Sequence, residues 1–195
     1  ADTFSAYLTE DFNWRLKEIT ELRKIATSVA NGYEVAVRKA GIALLYAHWE
    51  GYVKFVGEAY IKYVAVRKIT IESLTEEFFA MEISGPLKNY VGGPGDMSSR
   101  LSLIDEWRRM EKSQFKRIKD RGVSTGGNLN YQRFSEVCIL FNIDPKKVIG
   151  NEEFLDKNIL GVRNKIAHGE SITVTEAEFL AASKFVIDAM RNFRT

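Results

Sequence analysis

Between residues 33 and 67 the chain has no proline and few strong helix breakers, and apolar residues recur there at helical spacing. A helix over this stretch, rising about 1.5 Å per residue, is roughly 50 Å long. One seam runs through Val37, Gly41, Leu44, His48, Tyr52, Phe55 and Ala59. A second row (Leu45, Trp49, Val53, Val56, Tyr60, Tyr63) carries apolar surface nearly all the way round. A helix that is apolar on most sides must be covered on most sides, so it lies at the centre of a bundle.

The remaining segments supply helices to surround it. Residues 13–29 carry Leu16, Ile19, Leu22 (or Arg23) and Ala26 at helical spacing. A shorter helix is predicted over 71–81, broken into loop by Ser84-Gly85-Pro86 and then Gly92-Gly93-Pro94-Gly95-Asp96. A fourth is predicted over 98–119, a flexible loop over 122–130, and a short apolar helix over 131–141 ended by Asn142-Ile143-Asp144-Pro145. Asn151 followed by Glu152 and Glu153 provides a cap oxygen and negative charge in a first turn. That helix is predicted to run to His168, with Gly169 as its C-terminal cap. Thr175-Glu176-Ala177-Glu178 reads as a capping box opening the last helix. Residues 171–174 give the best strand signal, and it is very short. The fold class is therefore all-α, a single domain over residues 1–195.

Composition narrows the function classes. A chain of 195 residues with 45% hydrophobic residues has ample material for one core. With 28 basic and 26 acidic residues the formal charge is +2, which gives no global pull toward nucleic acid or anionic membrane. Any RNA affinity must come from a local patch. The single cysteine, Cys138, rules out an internal disulfide, fits a reducing cytosol and reads as a small core residue between Val137 and Ile139. No apolar run reaches the ~20 residues needed to span a bilayer, and no charged leader precedes an apolar stretch. A soluble, cytoplasmic protein is expected.

The stretch Arg163-Asn164-Lys165-Ile166-Ala167-His168 holds the chemistry. It places a guanidinium, an amide and an imidazole at the end of a predicted helix. These groups supply a fixed cation for phosphate, a hydrogen-bonding amide and a proton carrier near neutral pH. At 100° per residue, Leu155, Ile159, Val162 and Ile166 form the core seam, while Lys157, Gly161, Asn164 and His168 share the opposite face, with Arg163 on the flank. A glycine at 161 leaves bare backbone that would permit close approach by another helix. The helix dipole at His168 favours a cation there.

Arg163, Asn164 and His168 match the Arg-Asn-x-x-x-His form of the Arg-x4-6-His signature, and in this the chain resembles the HEPN superfamily. The long helix with Leu44-Leu45-Tyr46-Ala47-His48-Trp49-Glu50-Gly51 is similar to stand-alone bacterial HEPN nucleases encoded near defence and restriction systems. The resemblance implies a HEPN-like helical bundle, with extra helices and loops inserted over residues 71–130. It implies endoribonuclease activity without metal or other cofactor, by 2′-OH attack on the adjacent phosphorus. It also implies a symmetric homodimer with Arg163, Asn164 and His168 from each chain in a composite catalytic site. An antitoxin or defence-system partner would restrain a ribonuclease of this kind. A catalytically silent HEPN module that binds RNA, a nucleotide or a protein is the alternative.

His48, Glu50 and Lys54 are candidates for supporting roles. His48 lies on the apolar seam, where a hydrogen-bonded core histidine is expected. Glu50 stands among Ala43, Ala47 and Gly57; either Arg163 is its partner, or it begins an i,i+4 row with Lys54, Glu58 and Lys62. From residue 100 to 121 there are eight basic and four acidic residues, with Trp107 and Phe115 interleaved. Arg108, Arg109, Lys112, Lys116 and Arg117 therefore make either a solvated face or an RNA-steering surface. No cysteine or histidine cluster offers a metal site.

Overall fold

The computed structural model describes residues 2–29, 32–116, 123 and 125–194. Eight helices account for most of them: α1 (Asp2–Ser28), α2 (Glu34–Ala65), α3 (Glu76–Val91), α4 (Met97–Glu111), α5 (Tyr131–Leu140), α6 (Pro145–Val148), α7 (Val162–Ala167) and α8 (Glu176–Arg194). A π-helical stretch, Phe154–Gly161, leads into α7 without a break. No strand occurs among the described residues; Thr70 and Gln114 form an isolated bridge. Among the described residues, no helix is long and apolar enough to cross a membrane.

The long helix lies at the centre, as its two apolar rows require. α1, α7 and α8 all pack on α2, and α1 also meets α8. Leu45, Trp49, Tyr52 and Val53 are fully buried along α2. Trp49 meets Phe134 at 5.0 Å between ring centroids, and Phe134 meets Phe193 at 5.4 Å. Gly41 lets α8 approach: a methyl there would lie 2.5 Å from the Phe179 ring.

Several elements differ from the sequence reading, among them the helix predicted from 71, which begins at Glu76 after a single 3-10 turn at Ile71–Ser73. α1 begins at Asp2 rather than near 13, because Leu8 and Phe12 extend the Ile19–Ala26 seam by two turns and are buried with it. α3 does not stop before Gly85-Pro86 but runs through to Val91. An interior proline forfeits one helical hydrogen bond, and the packing of α3 along α4 outweighs that loss. α4 ends at Glu111, not 119, because the chain turns to pair with the segment before α3. Phe115 N donates to Ile69 O (2.9 Å) and Ile71 N to Ser113 O (3.0 Å). Residues 117–119 of the predicted helix lie outside the described residues. Finally, residues 171–174 pair with no strand; Val174 is buried as the chain enters α8. The capping box forms as read, with Thr175 N and Oγ1 both donating to Glu178 Oε2 at 2.7 Å.

Candidate active site

The helix that carries the motif starts where the sequence says: Asn151 Oδ1 accepts the Phe154 N–H at 3.0 Å. Its π-helical first half changes the faces. A π-helix stacks residues at i,i+5 rather than i,i+4, so Leu160 comes near the row of Leu155 and is buried with it and Ile159. Val162 and Ile166 continue the seam and pack against the core. No other element closes on Gly161; the nearest atom to a methyl there is Asp156 O at 3.1 Å, so this glycine relieves the π turn itself. Asp156, turned by the same geometry, caps the start of α5 by accepting the Tyr131 N–H at 2.7 Å.

The end of α7 is equally well fixed. His168 is the C-cap residue, and its N–H donates to Asn164 O at 2.9 Å. Gly169 has φ +75°, the left-handed conformation that glycine adopts without strain. Gly169 N donates to Ile166 O (3.1 Å) and Glu170 N to Lys165 O (2.9 Å), the paired bonds of a Schellman cap. This closure leaves the His168 imidazole exposed at the tip of the helix, one turn from Asn164.

Arg163 is half-buried and braced on three sides. Its Nη1 donates to Asn164 Oδ1 (2.8 Å) and to Asn128 Oδ1 (3.0 Å). Its guanidinium carbon sits 4.5 Å from the centroid of the Tyr46 ring, a cation–π contact. Arginine has only donors, so both asparagine amides must turn their oxygens toward it. No described hydrogen bond uses Arg163 Nε or Nη2. One nitrogen thus anchors the guanidinium, and two remain for an anion.

Beneath Arg163, α2 holds the loop that supplies Asn128. The buried Tyr46 hydroxyl accepts the Leu129 N–H at 2.6 Å. Burial pushes the Tyr46 phenol up to about 12. Glu50, one turn further along α2, accepts from Thr125 Oγ1 (2.5 Å) and pairs with Lys54 Nζ (3.2 Å). Burial opposes the Glu50 carboxylate, yet the bonds from Thr125 and Lys54 outweigh it and hold this carboxyl below its ordinary value. Thr125 and Leu129 are buried. The predicted flexible loop is therefore, over 125–130, a clamped wall of the site. Tyr46→Phe keeps the ring under Arg163 but leaves the Leu129 N–H buried without its acceptor. It is expected to cost about 1–3 kcal/mol of stability, measured by urea unfolding.

A model of the HEPN_MAE_28990-like HEPN family matches residues 4–195, almost the whole chain. The chain belongs to the HEPN superfamily. No significant match is found among curated proteins or among solved structures.

In this HEPN domain the other candidate residues fall into place unevenly. Glu50 does not pair with Arg163; Thr125 and Lys54 take the carboxylate. Lys54 reaches the site only through Glu50. His48 is buried against α1, on the side of α2 opposite Tyr46, with Trp14 at 5.5 Å between centroids. The expected hydrogen-bond partner is missing: Nε2 lies 3.2 Å from Glu18 Oε2 yet makes no hydrogen bond. Burial lowers its pKa. It is a core residue and supports nothing at the motif. Cys138 is also core, its thiol pushed up to about 12 by burial.

Arg108, Arg109, Lys112 and Lys116 are all exposed, and Arg117 lies outside the described residues. Trp107 is half exposed over Phe79 at 4.8 Å. Phe115 is no stacking platform: it is buried edge-on against Phe78 at 5.0 Å, because the turn after α4 carries it inward. Sequence reasoning missed Tyr46, Asn128, Thr125 and Leu129. The one available signal was Tyr46 and Glu50 at i,i+4 on the central helix.

Proposed function

We propose that this chain is a metal-independent endoribonuclease that cleaves RNA by attack of a 2′-OH on the adjacent phosphorus. The observation that carries the reading is Arg163, anchored through one nitrogen with two still free, with an exposed imidazole five residues on at the cap of the same short helix. In the reaction a base removes the 2′-OH proton, the 2′-oxygen bonds to phosphorus, and the 5′-oxygen leaves with a proton from an acid. The products are a 2′,3′-cyclic phosphate and a 5′-OH end. Arg163 steadies the charge that builds on the non-bridging oxygens, and Asn164 orients the guanidinium. His168 moves protons.

Two proton transfers need two groups, and the chain has two histidines. His48 is buried on the far side of α2, which leaves one imidazole per chain at the surface site. A two-fold dimer that faces two α7 tips across one groove supplies the second imidazole without new residues. The test is a mixed dimer of wild-type and His168→Ala chains, isolated through two different affinity tags. Its activity is expected to fall toward that of the double mutant; full activity per mixed dimer contradicts the shared site. A ribonuclease of this kind acts as a toxin or anti-phage effector, held in check by an antitoxin or defence partner. Histidine-dependent growth arrest in bacteria expressing the chain supports that role, and equal growth with His168→Ala contradicts it.

A further inference from the structure

A second guanidinium lies against the turn that braces Arg163. Gly126 and Gly127 have φ of +59° and +78°, and Asn128 N donates back to Thr125 O at 3.3 Å. Arg133, in the first turn of α5, lays its side chain against this turn. A methyl on Gly126 would fall 1.3 Å from Arg133 Nη1 and 2.3 Å from its Cζ. Glycine at 126 suits the left-handed backbone, and the guanidinium occupies the space beside it.

Among the described residues, no charge explains that placement. Arg133 is exposed, and no carboxylate among the described residues pairs with it. Its guanidinium lies against a turn whose Asn128 receives Arg163. Residues 126 and 128 are separated by at most about 7 Å of backbone. Two guanidinium groups, from α5 and α7, neither paired with a described carboxylate, therefore lie against one turn.

We propose that Arg133 binds a backbone phosphate of the same RNA strand, next to the phosphate held by Arg163. A guanidinium grips a phosphate through two parallel N–H bonds and reads no base. Arg133 therefore contributes affinity and salt dependence but no sequence preference. Which phosphate is cleaved rests on the ribonuclease reading above; the binding itself does not.

The experiment is a salt series of fluorescence anisotropy with a fluorescein-labelled 2′-O-methyl oligonucleotide of about a dozen residues, long enough to cross the site. This probe has no attacking hydroxyl and stays intact. Relative to wild type, Arg133→Gln is expected to weaken binding about three- to tenfold and to reduce the slope of log affinity against log salt by about 0.7. Arg133→Lys keeps the charge and is expected to keep the slope. Unchanged affinity and slope in Arg133→Gln overturn the proposal, as does equal loss in the lysine variant or a wild-type chain that does not bind the probe. A wild-type chain that binds with the expected slope but leaves ordinary RNA uncut overturns the ribonuclease reading alone. Cleavage with an unaltered slope overturns the Arg133 subsite alone.

Discussion

His168→Ala is expected to lower RNA cleavage by about 10²–10⁴-fold, the usual contribution of a positioned acid–base group. The loss should appear in kcat, because the exposed imidazole acts on protons in flight rather than on bound substrate. Stability should barely move, within about 0.5 kcal/mol, since the side chain makes no described contact that holds the fold. The cap that ends α7 is made by backbone N–H groups of His168, Gly169 and Glu170 and survives the substitution. Single-turnover cleavage and thermal unfolding of the same preparation check both halves. A variant that keeps wild-type kcat removes His168 from the chemistry.

Arg163→Lys is expected to cost about 10²–10³-fold in kcat despite retaining the charge, comparable to removal of one preorganised donor from an oxyanion site. The physical reason is shape. The guanidinium stacks 4.5 Å from the centroid of Tyr46 while Nη1 reaches Asn128 and Asn164. A lysine ammonium is a point charge without a planar face, and it cannot hold both amides while also offering two donors to phosphate. Its KM should rise far less than its kcat falls, because phosphate attraction in the ground state persists. Measuring kcat and KM separately on a short oligoribonucleotide distinguishes this from simple loss of affinity. Full activity in the lysine variant would mean that charge alone is needed and that the bracing by Tyr46 and the two asparagines is structural.

What could be read from the sequence was local. The central helix, the Asn151 and Thr175 caps, and the glycine end after His168 each depend on residues within a few positions of one another, and each stands as expected. The triplet Arg163, Asn164, His168 was visible because one short helix carries all of it. Its surroundings were not, because they join distant segments. Tyr46 meets Leu129 across 83 positions, Glu50 meets Thr125 across 75, and Arg163 meets Asn128 across 35. A glycine-rich loop gives no sign in its own residues that a tyrosine and a glutamate on another helix will pin it.

Periodicity failed where the helix was not an α-helix. The seam counted at 100° per residue did not include Leu160, whereas the π-helical stretch Phe154–Gly161 buries it. At Phe115, composition suggested a stacking surface beside basic residues, and the turn after Glu111 placed the ring in the core instead. For His48, burial was legible from its neighbours on the seam. The absence of a hydrogen bond to Nε2 was not, since it depends on how α1 aligns Glu18.

The most direct measurement is the chemistry of the cut ends. Purified wild-type protein, incubated with an end-labelled RNA in excess EDTA, should yield fragments with 2′,3′-cyclic phosphate on one side of each cut and 5′-OH on the other. His168→Ala should give them about 10²–10⁴-fold more slowly. Fragments bearing 5′-phosphate and 3′-OH, or cutting that stops when EDTA is added, would contradict the account.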